Sequence, residues 1–325
     1  MIAMKRAAPA ALAVLLGLAA AAAAQNEVRP EKPLIRPGRP RLTLPSETLW
    51  SVDGGLWVSR DNDINRLLTN SVVDSNARVA DTIVHAGADL DAAPRWGDAL
   101  TADISYSYDR YDFQNHPAFS YYDNSLSADL YPRVAPAWRA DLGADLDWVS
   151  DSGGSVSNSR TGRLGAVWDG PERLRAKAGY EYSLDRVTVD TNRNAAGHAL
   201  YLTLLRPLPA RQYGFLGYRY RTVSTAGANY AYKSHSLYAG LIQPWTERLR
   251  ATWVVTVADK AYDNRDTRFL TTRRDRLYSL SFKPAVVLIP GVRAEARVAL
   301  LRGDSNVNAK SYWDQVYSLG LRGSF

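Results

Sequence analysis

The chain is dominated by a strict alternation of apolar and polar residues. In the segment Trp138–Ser150, apolar residues occupy every second position from Trp138 to Trp148, and mostly charged residues lie between them. Successive side chains of a β-strand point to opposite faces, so such a segment predicts a strand with one apolar and one polar face.

About fourteen segments of this kind recur between residue 47 and the end of the chain, which predicts an all-β protein. The predicted strands are Glu47–Ser59, Ala80–Ala92, Asp98–Arg110, Tyr121–Tyr131, Trp138–Ser150, Arg160–Trp168, Leu174–Asp185, His198–Leu205, Gln212–Thr222, Ser234–Gln243, Leu249–Ala258, Arg276–Leu288, Val292–Arg302 and Tyr312–Phe325.

The connections between these segments indicate how the strands are arranged. Long connections are predicted after the odd segments, as in Arg60–Val79, Asp151–Ser159 and Asp259–Asp275, and short ones after the even segments. The short connections hold nearly all the prolines between strands: Pro94, Pro132, Pro136, Pro171, Pro207, Pro209, Pro244 and Pro290. Short periplasmic turns and long extracellular loops are typical of a transmembrane antiparallel up-and-down β-barrel with an even strand number, here about fourteen.

Composition agrees with a barrel rather than a helical membrane protein. Mean hydropathy is −0.29, and after the N-terminus the sequence lacks the run of about 18 apolar residues that a transmembrane helix needs. The 19 Tyr and 9 Trp suit a membrane–water interface. We expect an outer belt of Tyr106, Tyr108, Trp148, Tyr180, Tyr182, Tyr218 and Tyr220, and an inner belt of Trp138, Trp168, Trp245, Phe282 and Phe325.

The last strand carries an apolar face that ends on an aromatic residue. Tyr317, Leu319, Leu321 and Phe325 share that face. The strand resembles the C-terminal strand of bacterial outer-membrane barrels, which the barrel-assembly machinery reads; the alternative is an edge strand of a soluble sheet. In a barrel, this strand must pair with Glu47–Ser59 to close the sheet.

The N-terminus predicts export. Residues 1–24 combine Lys5 and Arg6, an apolar core and a small-residue end at Ala22–Ala24, as in a secretory signal peptide; an N-terminal helical anchor is the alternative. Residues 25–46 are rich in Pro and Arg and predict an extended periplasmic linker before a barrel over 47–325. The chain has no Cys, which rules out disulfides and thiolate metal sites.

The polar faces of the strands differ in charge between the two halves of the barrel. The predicted acidic wall of the lumen comprises Asp89, Asp91, Asp103, Asp109, Asp129, Asp141, Asp145 and Asp147. The predicted basic wall comprises Arg175, Lys177, Arg219, Arg221, Arg250, Lys283, Arg293, Arg297 and Arg322. Opposed walls would set up a transverse field that orients charged solutes. The alternative is that the charges pair across the lumen and close it.

Two loop motifs and four histidines are the remaining candidates for chemistry. The loops Arg60–Val79 and Asp304–Asn308 contain alternating Asp and Asn, which could bind Ca²⁺ or simply form turns; neither has the Gly and distant Glu of an EF-hand. The histidines show neither a nucleophile elbow nor a metal-binding pair. We therefore predict no catalytic residue, metal or cofactor, and no nucleic-acid partner, because the basic residues face a lumen.

Several short motifs carry a family resemblance. They are Asp61–Asn65 after the first strand, Tyr230–His235, Arg273–Arg276, and Asp304–Val307 before the last strand. With them the chain resembles the barrel domains that follow tetratricopeptide repeats in Gram-negative outer-membrane proteins, including surface lipoprotein assembly modifiers and biofilm-polysaccharide exporters, and stand-alone barrels of exopolysaccharide systems. A Pro-rich linker stands where those relatives have repeats.

Together these features predict an outer-membrane channel. It would contact outer-membrane lipids and pass small hydrophilic solutes, or serve as the pore of an envelope export system with a periplasmic partner. The alternatives are a dedicated export component for surface polysaccharide or lipoprotein, and a structural or adhesive barrel without conduction.

Overall fold

The structure is a computed structural model that describes residues 50–62, 80–188, 190–267, 269–307 and 310–324. The signal peptide, the linker, most of the loop Arg60–Val79, Asn308 and Phe325 lie outside these residues. The strands are β1 (Trp50–Asp61), β2 (Asp81–Ala92), β3 (Arg95–Trp96), β4 (Leu100–Phe113), β5 (Tyr121–Ala135), β6 (Trp138–Asp151), β7 (Gly154–Asp169), β8 (Arg175–Val187), β9 (Ala195–Leu208), β10 (Gln212–Thr225), β11 (Tyr232–Pro244), β12 (Leu249–Asp266), β13 (Thr271–Ile289), β14 (Val292–Ser305) and β15 (Tyr312–Ser324).

The strands form one closed antiparallel sheet. Each long strand pairs with its neighbours in chain order, and β1 pairs with β15 in a register that sets Leu56 opposite Leu321. Strand β2 pairs directly with β4, so the two-residue β3 lies beside β4 and outside the closed ring of fourteen strands. Closure satisfies the backbone hydrogen bonds of both terminal strands, as a bilayer requires. The predicted up-and-down barrel is confirmed, and so is the closing pair.

The alternation of residues separates a lipid face from an inner face. On β6, Trp138, Leu142 and Leu146 are 47%, 39% and 42% exposed, whereas Asp141 on the opposite face is fully buried. Other exposed apolar side chains, such as Leu164, Leu200 and Leu319, repeat this arrangement around the barrel. The apolar face is therefore the outer surface, and the charged face points inward. In the part of the chain that the structure covers, no helix is long and apolar enough to cross a membrane.

Large inward side chains lie over glycines on neighbouring strands. A Cβ on Gly217 would overlap the Tyr238 ring, and a Cβ on Gly320 would overlap the Trp57 indole. Glycine leaves room for the ring to lie flat against the sheet, so these aromatic residues fill the wall instead of projecting into the centre of the barrel.

The prediction of loop lengths was wrong at two places. Residues 151–159, predicted as a long loop, belong mostly to β6 and β7, which are joined by a tight turn with Gly154 at φ +114°. Likewise, β12 continues to Asp266 and β13 begins at Thr271, inside the predicted loop Asp259–Asp275. The apolar alternation ends where lipid contact ends, but backbone pairing continues into water, where both faces are polar. The short strand β3 also lies in a predicted turn.

The predicted aromatic belts lie on the outer surface at the two ends of the barrel. Near the outer end, Tyr106 contacts Trp148 at 6.4 Å between ring centroids, and the Tyr180 hydroxyl lies 2.6 Å from His198 Nδ1. Strands β10 and β11 repeat this arrangement, with the Tyr218 hydroxyl 2.8 Å from His235 Nδ1. A Gly-Tyr-x-Tyr motif precedes each histidine contact, an internal repeat that the sequence reading missed. Near the inner end, Trp138 contacts Trp168, and Trp245 contacts Phe282.

Candidate functional site: the charged inner wall

Arg163 is the centre of the acidic part of the inner wall. Its guanidinium donates to Asp129 at 2.5 Å and also to Asp145, so one cation on β7 joins carboxylates of β5 and β6. The Arg163 side chain is only 14% exposed. The sequence reading did not single out Arg163, because it lies where the acidic half of the chain meets the basic half. A lone arginine on the polar face beside two acidic strands was the available signal.

Asp141 lies next to this group and is fully buried. Lys177 Nζ is 2.9 Å from Asp141 Oδ2, and the Tyr201 hydroxyl donates to the same oxygen at 2.7 Å. The Lys177 ammonium also faces the Tyr131 ring at 5.4 Å. The predicted acidic and basic walls therefore meet here, on β6 and β8, through a hydrogen-bonded ion pair.

The walls meet a second time at the closing seam of the barrel. Arg322 on β15 contacts Asp53 at 3.4 Å and Asp89 at 2.9 Å, on β1 and β2. Close by, His85 Nε2 lies 2.9 Å or less, at 2.7 Å, from Asp109 Oδ1. Both predicted wall residues, Asp89 and Asp109, thus have partners on adjacent strands.

A cluster of cations occupies the inner wall of β12–β15. Glu295 is 4% exposed and lies 2.6 Å from Arg293 and 3.6 Å from Lys283. Arg293 pairs directly with Arg322 in the strand register, and Arg250 is close enough to interact electrostatically with both. Arg297 on the same strand face donates to Ser281 at 3.4 Å. We call the five residues Arg250, Lys283, Arg293, Arg297 and Arg322 the cationic cluster.

Next to the cationic cluster stands a row of stacked rings. Trp57 stacks on His85 with centroids 4.7 Å apart, His85 on Tyr111 at 4.3 Å, and Tyr111 on Tyr121 at 4.7 Å. The Trp57 indole lies over Gly320, the residue opposite Glu295 in the strand register. The row is visible only once strand register is known, because its members come from four strands.

The other predicted wall residues have local partners. Arg175 contacts Asp169 at 2.6 Å, Arg219 contacts Glu181, and Arg221 contacts Asp185 at 3.4 Å. Asp91, Asp103 and Asp147 also interact with neighbours. Among the described residues, every ion pair of the inner face joins strands at most two positions apart in the sheet.

The described residues contain no group of three or more His, Asp or Glu that could hold a metal ion. Asp304 in the second candidate loop contacts Arg302 at 2.8 Å, and His116 contacts the fully buried Asp81 at 2.9 Å. Asp81 also accepts hydrogen bonds from Asn115 and from the His116 backbone, so this pair fixes the connection between β4 and β5.

Comparisons with known proteins agree with this architecture. Residues 169–283 match the sequence model of a family described as surface lipoprotein assembly modifier. No curated protein matches the chain. Among solved structures, the outer membrane channel DcaP of Acinetobacter baumannii has a TM-score of 0.52 at 10% identity, over 85% of this chain and 97% of that one.

Two further structures show weaker likeness. A loop-deletion mutant of OmpT, an outer membrane protein of Vibrio cholerae, has a TM-score of 0.46 at 7% identity, over 86% of this chain and 100% of that one. A bacterial polysaccharide outer membrane secretin has a TM-score of 0.42 at 8% identity, over 84% and 98%. None of these descriptions names an enzyme. The closed barrel with its apolar outer face is a bacterial outer-membrane β-barrel, similar over residues 169–283 to surface lipoprotein assembly modifiers.

Proposed function

We propose that the protein is an outer-membrane channel for small hydrophilic solutes and that the cationic cluster makes it prefer anions. The observation that carries this proposal is the way the inner wall is neutralised. Its ion pairs run along the wall between near neighbours, as with Arg163 and Asp145, and leave the centre of the barrel without a described bridge.

Strand number is compatible with a water-filled interior. Barrels of about eight strands are just filled by their own side chains, whereas those of about sixteen leave an aqueous channel. The closed ring of fourteen strands here is nearer the second class. Inward rings such as Tyr238 lie flat over glycines, which keeps further space free.

Charge balance supports a preference for anions. The five cations of the cationic cluster contact three carboxylates, those of Glu295, Asp53 and Asp89, which leaves an excess of two positive charges (five minus three). Rings of basic side chains favour anions in pores. A small carboxylate-bearing or phosphate-bearing solute would meet these cations beside the Trp57 indole.

Liposome swelling tests conduction. Vesicles that contain the refolded barrel should swell in neutral sugars up to a size limit, and at equal size should swell faster in a sugar acid than in its neutral parent. Vesicles with heat-denatured protein are the control. A folded barrel that gives no swelling with the smallest sugar would identify a structural or adhesive barrel instead.

A second candidate function is the pore of a surface-lipoprotein or polysaccharide export system, supported by the family match over residues 169–283. It requires a periplasmic partner to deliver cargo. If this is the function, deleting the gene should reduce the protease-accessible lipoprotein or polysaccharide on the cell surface, whereas a passive channel would leave that amount unchanged.

We further propose that the last strand is the signal read by the barrel-assembly machinery, and that residues 1–24 are removed on export while 25–46 remain as a periplasmic tail. Tyr317, Leu319 and Leu321 are exposed on the lipid face of β15. Deleting Phe325 should lower the amount of assembled, heat-modifiable barrel several-fold while export to the periplasm continues. Unchanged outer-membrane levels of the truncated protein would contradict the proposed signal.

A further inference from the structure

Two arginines at the outer end of the lipid face have no acidic neighbour. Arg160 on β7 and Arg186 on β8 are both exposed, and neither forms an ion pair with a described residue. Arg186 lies opposite Asn158, two residues from Arg160, and the two arginines share the outward face. Such diagonal neighbours have Cα atoms about 7–8 Å apart, so both guanidinium groups can reach one anion.

The distribution of carboxylates explains why these cations stay uncompensated. Every Asp and Glu of strands β6–β10 has the inward parity: Asp141, Asp145, Asp147, Asp151, Asp169, Glu181 and Asp185. The outward parity of the same strands carries apolar and aromatic residues up to the outer belt, and then Arg160 and Arg186. The two charges therefore face the membrane boundary and not the protein.

A hollow lies directly below Arg160 on the same face. Gly162 is exposed, and a Cβ there would meet no atom within 4 Å. Its partners in the strand register are Ala144 on β6 and Tyr182 on β8, so two small residues stand side by side next to an aromatic ring. Below the hollow, Leu164 is 61% exposed. An apolar surface depression under two cations fits a lipid whose headgroup is anionic.

We propose that this surface binds a phosphorylated glycolipid of the outer leaflet, with a phosphate on Arg160 and Arg186 and an acyl chain in the hollow at Gly162. Guanidinium groups bind phosphate through paired, charge-assisted hydrogen bonds, and basic residues at the membrane boundary recognise anionic headgroups. The Tyr182 ring lies at the level where the headgroup meets the chains. The site is on the outer surface, so it is independent of conduction through the barrel.

The test uses the full-length barrel, refolded in detergent and titrated with bis-phosphorylated lipid A. Binding should be saturable in the wild type, and the double variant Arg160→Gln/Arg186→Gln should weaken it by about tenfold or more, since two charge-assisted contacts are lost. Lys233→Gln, a matched loss of outward charge on β11, should leave the affinity unchanged. Equal affinity of the double variant and the wild type would overturn the proposal.

Further arms identify the ligand. Dephosphorylated lipid A should bind both proteins weakly and equally; wild-type affinity for it as high as for the phosphorylated form would also overturn the proposal. Inorganic phosphate at the same molar concentration should not compete, and full competition would reveal a site for free anions. Gly162→Leu keeps both arginines and fills the hollow, so it should weaken lipid binding in a protein whose heat-modifiable migration is normal. Unchanged affinity of that variant would refute the acyl-chain contact.

Discussion

Replacing Arg163 with Leu should destabilise the folded barrel by about 3–5 kcal/mol, the range seen when one partner of a buried ion pair is removed. The side chain is 14% exposed and neutralises Asp129 and Asp145, which are 9% and 20% exposed. Without Arg163, both carboxylates would face each other without a cation between strands β5 and β6. Urea-induced unfolding in lipid vesicles, followed by tryptophan fluorescence, measures the change.

The matched control is Arg206→Leu. Arg206 also contacts a carboxylate, that of Glu172, but the two side chains are 57% and 74% exposed at the inner rim. Exposed pairs contribute about 0–1 kcal/mol, so this variant should unfold at nearly the wild-type urea concentration. Equal destabilisation by the two substitutions would show that Arg163 does not act through its buried contacts.

Reversing two charges of the cationic cluster should change ion selectivity. In the double variant Arg250→Glu/Arg297→Glu, the wall of β12–β14 would change from an excess of positive charge to an excess of negative charge. The permeability ratio of anions to cations should fall by about tenfold, because pore-lining rings of charge set which ion enters. Arg293 is kept, since its contact with the buried Glu295 supports the fold. Reversal potentials in a KCl gradient measure the ratio.

A charge reversal on the lipid face separates this effect from a change in total charge. Lys233→Glu alters the same protein by a similar charge, but the Lys233 side chain is 58% exposed on the outer surface near Asp263. It should leave the reversal potential unchanged. A similar shift in both variants would assign the selectivity to the whole protein and not to the cationic cluster.

The fold could be predicted from the sequence because the bilayer imposes a simple pattern. Each long strand contains one of the predicted alternating segments, and β15 closes on β1 as expected. The pattern failed where the constraint ends: β12 and β13 extend beyond the lipid, where residues such as Asn264 and Thr271 are polar on both faces. Strand boundaries in water leave no periodic signal.

The inner wall was harder to predict than the strands. Parity alone assigns Asp141 and Lys177 to the polar face, but their contact spans β6 and β8 and depends on the register of β7 between them. The same holds for the row of rings that starts at Trp57 and for the pairing of Arg293 with Arg322. The sequence identifies the charges, whereas the register decides which of them neutralise one another.

The central claim is that this barrel is an open channel whose cationic cluster favours anions, and single-channel recording of the wild-type protein in planar bilayers tests it most directly. The account predicts discrete conductance steps and, in a KCl gradient, a reversal potential displaced toward the equilibrium potential of Cl⁻. A correctly folded barrel that gives no current, or one whose reversal potential lies toward that of K⁺, would contradict it.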